Sequence, residues 1–200
     1  MSATSKPFSE ACEENKHPLL EVLINYLKDQ TSVVEIGSGT GQHAVFFAGQ
    51  FPNLTWHCSD LLEYHSGIKQ WIADYPGNNI RNPQVLDVLQ PNWPFEQIEN
   101  VFSANTTHIM SWPMVLALIE GVGKRLIPGG HFILYGPFNY HGKFTSQSNA
   151  QFDLFLKNRD PLSGIRDFET LNTLAEQQAM KLVKDYEMPV NNRCLVWKKS

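Results

Sequence analysis

The fold of this chain is predicted by the stretch Val33-Val34-Glu35-Ile36-Gly37-Ser38-Gly39-Thr40-Gly41. An apolar run with one acid is followed by glycines at alternating positions and then by a helical pattern. This order is typical of a strand, a tight turn and the first turn of a helix, because glycine lets the backbone turn sharply and approach a ligand closely. The helix N-terminus adds free N–H groups at the same place. We therefore predict that the turn binds a nucleotide-like cofactor.

The spacing of the glycines indicates which cofactor is bound. A dinucleotide-binding turn reads Gly-x-Gly-x-x-Gly, which would place its last glycine at Gln42. Here the last glycine is Gly41, and Glu35 stands shortly before the first one. This pattern resembles the first motif of class I S-adenosylmethionine-dependent methyltransferases, which implies S-adenosylmethionine as the cofactor and S-adenosylhomocysteine as the product. A carboxylate beside a sulfonium and an ammonium is favourable, whereas beside a pyrophosphate it is not.

Length and composition predict one globular domain. The chain has 200 residues, of which 42% are hydrophobic and 18% charged, as is usual for a folded domain. We expect a single domain over residues 1–200, with residues 1–9 as a flexible tail. No membrane span or signal peptide is expected, because no apolar run approaches the roughly 20 residues of a spanning helix and the N-terminus lacks an apolar core.

Charge and cysteine usage bear on partners and location. The net charge is −4 and there is no basic block, which disfavours nucleic acid as a partner. Cys12, Cys58 and Cys194 lie far apart and form neither a metal pattern nor a disulfide framework. We expect a cytoplasmic monomer or homodimer without a metal site, whose acceptor substrate is a small molecule or a protein.

Strand and helix patterns alternate through the first two thirds of the chain. This predicts an α/β, Rossmann-like fold of the class I methyltransferase type: a mostly parallel seven-stranded sheet, helices on both faces and a C-terminal antiparallel hairpin. Pro18 is expected to divide the first helix. The predicted strands are 32–36, 54–58, 84–86, 101–104, 131–135, 181–188 and 193–198, and the predicted helices are 10–29, 42–51, 62–75, 110–126, 149–158 and 167–180.

Polar residues follow the predicted strands, where ligands of open α/β sheets bind. We predict that Asp60 accepts hydrogen bonds from the ribose hydroxyls and, by the resemblance, that Asp87 faces the exocyclic amine of adenine. Ordinary alternatives are an N-cap for Asp60 and a loop acid for Asp87. The predicted cofactor-binding residues are Glu35, Gly37, Ser38, Gly39, Gly41, Asp60, Asp87 and Asn105.

The candidate catalytic residues are His108, Tyr140 and His141. His108 follows the fourth strand, where methyltransferases meet the acceptor, and its ordinary pKa suits a general base; a helix cap or a structural histidine is the alternative. Residues 138–148 mix aromatic, polar and glycine residues after the fifth strand. We expect this segment to be a mobile substrate lid, with an ordinary surface connection as the alternative. Methyl transfer from a sulfonium needs little acid–base help, because positioning and exclusion of water suffice.

Motifs along nearly the whole chain resemble the methyltransferase-like 26 family and its bacterial relatives. The resemblance implies an S-adenosylmethionine-binding fold and names no substrate. From their position ahead of the glycine motif, we expect Asn15 and Lys16 to cover the methionine end of the cofactor. The motifs that carry the resemblance are Ala11-Cys12-Glu13-Glu14-Asn15-Lys16, Glu35-Ile36-Gly37-Ser38-Gly39-Thr40-Gly41-Gln42-His43, Tyr135-Gly136-Pro137-Phe138, residues 144–153, Asp160-Pro161, Gly164-Ile165-Arg166-Asp167-Phe168-Glu169 and Met188-Pro189-Val190-Asn191-Asn192.

Three functions stay open at this point. The leading hypothesis is a methyltransferase that acts on a small molecule or a protein side chain. The second is a non-catalytic protein or partner subunit that binds S-adenosylmethionine. The third, a nicotinamide-dependent reductase, is disfavoured by Glu35, by Gln42 in place of glycine and by the lack of a Tyr-x-x-x-Lys pair.

Overall fold

The structure is a computed structural model that describes residues 6–200. The chain divides into two compact units, Met1–Asp87 and Val88–Ser200. The predicted tail, residues 1–9, lies partly outside the described residues. Residues 6–9 contact the rest of the first unit: the Pro7 carbonyl accepts a hydrogen bond from Trp71 Nε1 at 2.7 Å.

The first unit alternates helices with parallel strands. Strand β1 pairs with β2, and β2 pairs with β3, in parallel. Every residue of β1 after Ser32 is buried, as predicted for a strand covered on both faces. The elements are α1 (Glu10–Leu27), β1 (Ser32–Ile36), α2 (Gln42–Gln50), β2 (Thr55–Asp60), α3 (His65–Ala73) and β3 (Ile80–Val85).

Pro18 does not divide the first helix, so that prediction is wrong. Helix α1 runs through Pro18 and buries Leu19, Val22, Leu23 and Leu27. A proline in a helix interior costs about 3 kcal/mol, whereas each fully buried apolar side chain contributes about 1.5–3 kcal/mol. The burial of one apolar face therefore outweighs the lost backbone hydrogen bond.

The second unit contains two parallel strand pairs and the C-terminal hairpin. Strands β4 and β5 are parallel, whereas β9 is antiparallel to both β5 and β8. Two-residue strands β6 and β7 pair in parallel and were not predicted. The elements are β4 (Ile98–Ala104), α4 (Trp112–Arg125), β5 (Leu126–Gly136), β6 (Phe138–Asn139), α5 (Gln147–Arg159), β7 (Arg166–Asp167), α6 (Phe168–Gln177), β8 (Met180–Glu187) and β9 (Arg193–Lys199).

The strand order of the seven-stranded sheet is β3-β2-β1-β4-β5-β9-β8. This confirms the predicted α/β fold with a mostly parallel sheet and an antiparallel C-terminal hairpin. Strand β3 begins earlier than predicted. The first part of this strand was missed because its sequence, Ile-Arg-Asn-Pro-Gln-Val, is largely polar. Such a sequence suits an edge strand, where a proline such as Pro83 is tolerated.

Stacked aromatic rings form the centre of each core. In the first unit Phe47 stacks on Trp56 with ring centroids 5.6 Å apart. In the second unit Phe132 stacks on Trp197 at 5.5 Å. Within residues 6–200, no helix is long and apolar enough to cross a membrane.

Candidate functional site

The loop between β1 and α2 is held against the end of β2. The Gly37 and Ser38 amides both donate to the Ser59 carbonyl, at 2.9 and 3.1 Å. The Ser38 hydroxyl in turn accepts from the Ser59 amide at 3.1 Å. The backbone of the loop is therefore preorganised by β2 itself.

Two glycines of this loop have different reasons to be glycine. Both have positive φ, +56° at Gly39 and +92° at Gly41, which side chains rarely adopt. A Cβ at Gly41 would lie 3.0 Å from the Ile68 Cα, so this residue is needed for the close packing of α3. A Cβ at Gly39 would meet no atom within 4 Å. Open space thus lies directly above the loop at Gly39.

Asp60 borders this open space at the end of β2. Its Oδ2 accepts from the Gly39 amide and its Oδ1 from the Leu61 amide, both at 2.7 Å. Burial raises its pKa above the ordinary value. A carboxylate has about four lone-pair positions, so each oxygen retains one for a further donor. The carboxylate links the glycine loop to β2, and the helical turn that follows has Leu61 at its N-cap.

Glu35 is a buried acid in β1. It is 2% exposed, and its Oε2 accepts from the Trp56 indole Nε1 at 3.0 Å. Burial raises the pKa of Glu35 to about 7, against the opposing effect of the Trp56 hydrogen bond. The carboxyl is therefore poised between its neutral and charged forms near neutral pH, where a nearby cation would favour the charged form.

The segment that carries Asp87 is attached to the end of β2 in the same unit. The amide of Leu86, its neighbour in sequence, donates to the Asp60 backbone carbonyl at 3.0 Å. The first unit thus brings together the glycine loop, Asp60 and the segment of Asp87 at the carboxyl ends of its parallel strands.

Helix α1 is attached to the glycine loop by side-chain contacts that were not predicted from the sequence. The Gln42 side chain bonds the backbone of Ser9 and the Glu13 carboxylate. His43 Nε2 lies 2.7 Å from Asn15 Oδ1, and burial lowers the pKa of His43 to about 4. The side-chain oxygen of Asn15, which was expected beside the cofactor, is thereby engaged with His43. Glu13 and Gln42 both lie in motifs of the family resemblance. The sequence does not show that these two motifs contact each other, because they are far apart along the chain.

In the second unit the loop after β4 carries Asn105 and His108. Asn105 has a positive φ of 58°, a conformation that in non-glycine residues is frequent at functional sites. His108 is 6% exposed. Burial, with a smaller effect of the Arg166 guanidinium, lowers the pKa of His108 to about 4. The imidazole is therefore neutral at pH 7 and weakly basic. The assignment of Asn105 to the cofactor stays a prediction.

Arg166 and Asp153 organise this loop, and neither was predicted. Arg166 donates to the Thr107 carbonyl at 3.0 Å and also to that of Met110. Asp153, which is buried in α5, accepts from the Ile165 amide at 2.8 Å. Both residues lie in motifs of the family resemblance, which was the only available signal for them.

Tyr140 and His141 each have hydrogen-bond or ion-pair partners of their own. The Tyr140 hydroxyl donates to Asp185 Oδ2 at 2.7 Å, and burial together with Asp185 raises its pKa. His141 has a side chain that is 83% exposed and pairs with Glu169 at 3.1 Å. Of the three candidate catalytic residues, His108 alone is buried. The catalytic roles of all three stay predictions.

The segment expected to be mobile is tied into the second unit. The Tyr140 and Lys143 backbones exchange two hydrogen bonds of 3.0 and 2.9 Å, and the Gly142 amide donates to Asp167 Oδ2 at 2.7 Å. Strand β6 within it pairs with β7. These contacts describe an ordered loop, and its mobility in solution stays a prediction. Among the described residues, no group of three or more His, Cys, Asp or Glu side chains is placed to hold a metal ion.

Comparison with known proteins gives the family. Residues 6–199 match the family described as "Protein of unknown function (DUF938)". The chain belongs to this family.

Solved structures with a similar fold include methyltransferases. An O-methyltransferase family protein from Burkholderia thailandensis matches 96% of this chain and 58% of its own, with a TM-score of 0.83 and 14% identity. Human N-acetylserotonin methyltransferase, solved in complex with S-adenosylmethionine, matches 96% of this chain and 53% of its own, with a TM-score of 0.77 and 14% identity. A putative sarcosine dimethylglycine methyltransferase from Galdieria sulphuraria matches 96% of this chain and 87% of its own, with a TM-score of 0.74 and 13% identity.

This chain spans a little over half the length of the first two of these proteins. At these identities the likeness is one of fold, and the fold is that of the class I methyltransferases.

Proposed function

We propose that the protein is an S-adenosylmethionine-dependent methyltransferase whose acceptor is a small molecule or a protein side chain. The observation that carries the proposal is the open space above Gly39, bordered by a buried Asp60 carboxylate with unused lone pairs. Gly39 has a positive φ, and a Cβ at this position would meet no protein atom. Its amide is held by the adjacent Asp60 carboxylate. This arrangement fits a ligand that approaches the backbone closely.

The residues of the first unit fit the parts of this cofactor. Asp60 has acceptor positions for the two ribose hydroxyls, and the loop at Gly39 leaves room for the sugar and sulfur. The buried Glu35 carboxyl suits a cationic ligand, since a positive charge would stabilise its ionised form. By the family resemblance, Asp87 would face the adenine amine.

When bound, S-adenosylmethionine supplies a methyl group on a sulfonium, which leaves as part of a neutral thioether. The chain therefore needs to bind, orient and exclude water more than to transfer protons. The low pKa of His108 agrees with this, because a neutral imidazole at pH 7 is suited to hydrogen bonding rather than to holding a proton.

The finer assignments belong to the same proposal. We place the chain with the methyltransferase-like 26 proteins on the motifs quoted above. We also propose a single functional domain, a cytoplasmic location and a monomer or homodimer. The absence of a basic block supports an acceptor other than nucleic acid.

Ligand binding to the purified protein tests the cofactor assignment. S-adenosylhomocysteine at about 100 times its Kd should stabilise the fold by about 2.7 kcal/mol and raise the Tm by about 5–10 °C. NAD should have no effect. A response to NAD without one to S-adenosylhomocysteine would overturn the proposal.

A matched pair of glycine variants locates the site. Gly39→Ala and Gly129→Ala both place a Cβ at positive φ, 56° and 87°, with no atom within 4 Å, so both should lose a similar, small amount of stability. Calorimetry should show S-adenosylhomocysteine binding at least about tenfold more weakly to Gly39→Ala, and unchanged binding to Gly129→Ala. Equal effects of the two variants would show that only strain is being measured.

Asp60→Ala tests the ribose contact. Loss of hydrogen bonds to a charged acceptor is worth about 1.5–3 kcal/mol, so affinity should fall by at least tenfold. Unchanged affinity would confine Asp60 to holding the Gly39 and Leu61 amides. Transfer of a labelled methyl group to any acceptor, lost in the same variant, would separate a methyltransferase from a non-catalytic binding protein.

A further inference from the structure

The Gln42 side chain joins the glycine loop to the residues at the start of α1. Its Oε1 accepts from the Ser9 amide at 2.5 Å and from the Thr40 hydroxyl at 3.0 Å. Its Nε2 donates to the Ser9 carbonyl at 3.3 Å and to Glu13 Oε1 at 3.1 Å. All four hydrogen-bonding positions of the amide are thereby used, and Gln42 is 3% exposed. A single buried amide therefore links Thr40, in the loop, to Ser9.

Residues 6–9, which we call the strap, lie against α3. A Cβ at Gly67 would lie 2.6 Å from Pro7 Cγ, so Pro7 occupies the space that the missing side chain leaves. The Pro7 carbonyl accepts from Trp71 Nε1 at 2.7 Å. The strap therefore runs from α3 to Gln42 at the start of α2.

The glycine loop packs on the same part of α3. A Cβ at Gly41 would lie 3.0 Å from Ile68 Cα and 3.3 Å from Trp71 Cβ. The strap and the loop thus share Trp71 as a neighbour and are joined a second time through Gln42. Because closely packed interiors transmit displacement, a change in the position of the strap alters the support of the loop.

The strap is the part of this arrangement that opens most readily. It contains neither helix nor strand, and its Lys6–Asp74 ion pair is partly exposed, where such pairs contribute little. Segments held by few buried contacts open locally without global unfolding. Opening breaks both bonds between Ser9 and Gln42 and frees the amide that holds the Thr40 hydroxyl.

We propose that the strap is a latch for the cofactor: with Ser9 engaged by Gln42, the glycine loop is held in the form that binds S-adenosylmethionine, and opening of the strap weakens binding. Gln42 is a positioning residue in this arrangement, because it acts on the loop through Thr40. The identity of the ligand rests on the proposed methyltransferase function. The coupling between strap and loop rests on the contacts of the first unit.

Hydrogen exchange of the Ser9 amide, followed by NMR, measures how often the strap opens, because this amide donates to Gln42. Coupling between two equilibria is reciprocal. Saturating S-adenosylhomocysteine should therefore slow Ser9 exchange by the same factor by which opening of the strap weakens the binding of this ligand, and we expect about tenfold. A strap with a purely structural role would show no change, because its local opening would be independent of the ligand.

Gly67→Ala should displace the strap, since its Cβ cannot share the space of Pro7 Cγ. Ser9 exchange should become fast, and calorimetry should show S-adenosylhomocysteine binding about tenfold more weakly. Gly49→Ala is the matched control: it also adds a methyl group to a helix, but its Cβ would meet its nearest atom at 3.8 Å. It should leave Ser9 exchange and ligand affinity unchanged.

A pair of variants tests Gln42 itself. Gln42→Glu keeps an oxygen for the Ser9 amide but loses both donors and repels Glu13, so it should speed Ser9 exchange and weaken binding. Adding Glu13→Gln restores a donor and an acceptor with their positions exchanged, and it returns the net charge to that of the parent. The double variant should recover part of the lost affinity.

Four results would overturn the latch: Ser9 exchange that bound S-adenosylhomocysteine does not slow, an undisturbed strap in Gly67→Ala, full affinity in that variant, or no recovery in the double variant. The proposed function fails in a different way. A parent protein that does not bind S-adenosylhomocysteine would remove the methyltransferase and the latch together. Binding with unchanged Ser9 exchange would remove the latch alone.

Discussion

Glu35→Gln is expected to make the protein more stable at neutral and alkaline pH. The Glu35 side chain is 2% exposed, and burial raises its pKa from 4.5 to about 7. Glutamine has nearly the same shape, keeps an oxygen for the Trp56 indole N–H and carries no charge. The variant therefore removes the cost of ionising a carboxyl in the core and leaves the packing unchanged.

The magnitude follows from the difference between the folded and unfolded pKa of Glu35. A difference of about 2.5 corresponds to about 3 kcal/mol. Because the folded-state pKa is raised, the native state holds its proton more tightly, and this stability is fully present below pH 4.5. It is lost as the pH rises to about 7. The free energies of unfolding of variant and parent should thus be similar at low pH, and the variant should gain about 3 kcal/mol by pH 8.

Urea unfolding at closely spaced pH values between 4.5 and 8 measures this difference. Groups common to both proteins, such as His43, cancel when the two curves are subtracted. Glu120→Gln is the matched control: its carboxylate pairs with Lys124 on the surface of α4, where such pairs contribute little, so its difference curve should be small and flat. A Glu35→Gln curve that is equally flat would refute the reasoning about the buried carboxyl.

Two further predictions concern the packing of the first unit. Gly41→Ala should destabilise the protein by about 2 kcal/mol or more, because the new Cβ would lie 3.0 Å from the Ile68 backbone and the residue has a φ of +92°. Gly49→Ala is the control, since its Cβ would meet its nearest atom at 3.8 Å. It should instead stabilise α2 by about 0.5–1 kcal/mol. Asn79→Ala should cost about 1–3 kcal/mol, because its Nδ2 donates to three carbonyls after and within α2 at 2.9 to 3.0 Å, whereas Asn78→Ala on the exposed turn should be neutral. Denaturant midpoints of the four variants check these values, and a harmless Gly41→Ala or Asn79→Ala would contradict the packing described.

The parts of the fold that were predicted correctly are those with a local cause. The glycine loop and the alternation of strands and helices are properties of short stretches, so they can be identified one stretch at a time. Strand β3 was assigned too short because a polar edge strand has no apolar pattern to detect. The helix through Pro18 was missed because its stability comes from packing, which no local preference contains.

The residues of the candidate sites also divide into those with a local signal in the sequence and those that only the folded chain brings together. Asp60 lies at the end of a strand, close to where the sequence placed it, and it accepts a hydrogen bond from the Gly39 amide. Arg166 contacts the carbonyl of Thr107, 59 positions earlier in the chain, and only the folded chain brings them together. The Nδ1 atom of His108 is buried without a hydrogen-bond partner among residues 6–200. The sequence cannot predict this either, because whether a buried atom finds a partner depends on every neighbour.

Stability and ligand binding make opposite demands on Glu35. An ionised carboxyl in the core of the first unit costs about 3 kcal/mol at neutral pH, which is a large fraction of the stability of an ordinary domain. Glutamine or an apolar residue would avoid that cost while filling the same space beside Trp56. A cationic ligand at the neighbouring loop would offset it by stabilising the charged form. On this argument Glu35→Gln should combine higher stability with weaker S-adenosylmethionine binding, and the parent's affinity should rise as the pH passes through about 7. A variant that gains stability and binds S-adenosylmethionine as tightly as the parent at every pH would separate the acid from the cofactor and leave its charge without a function.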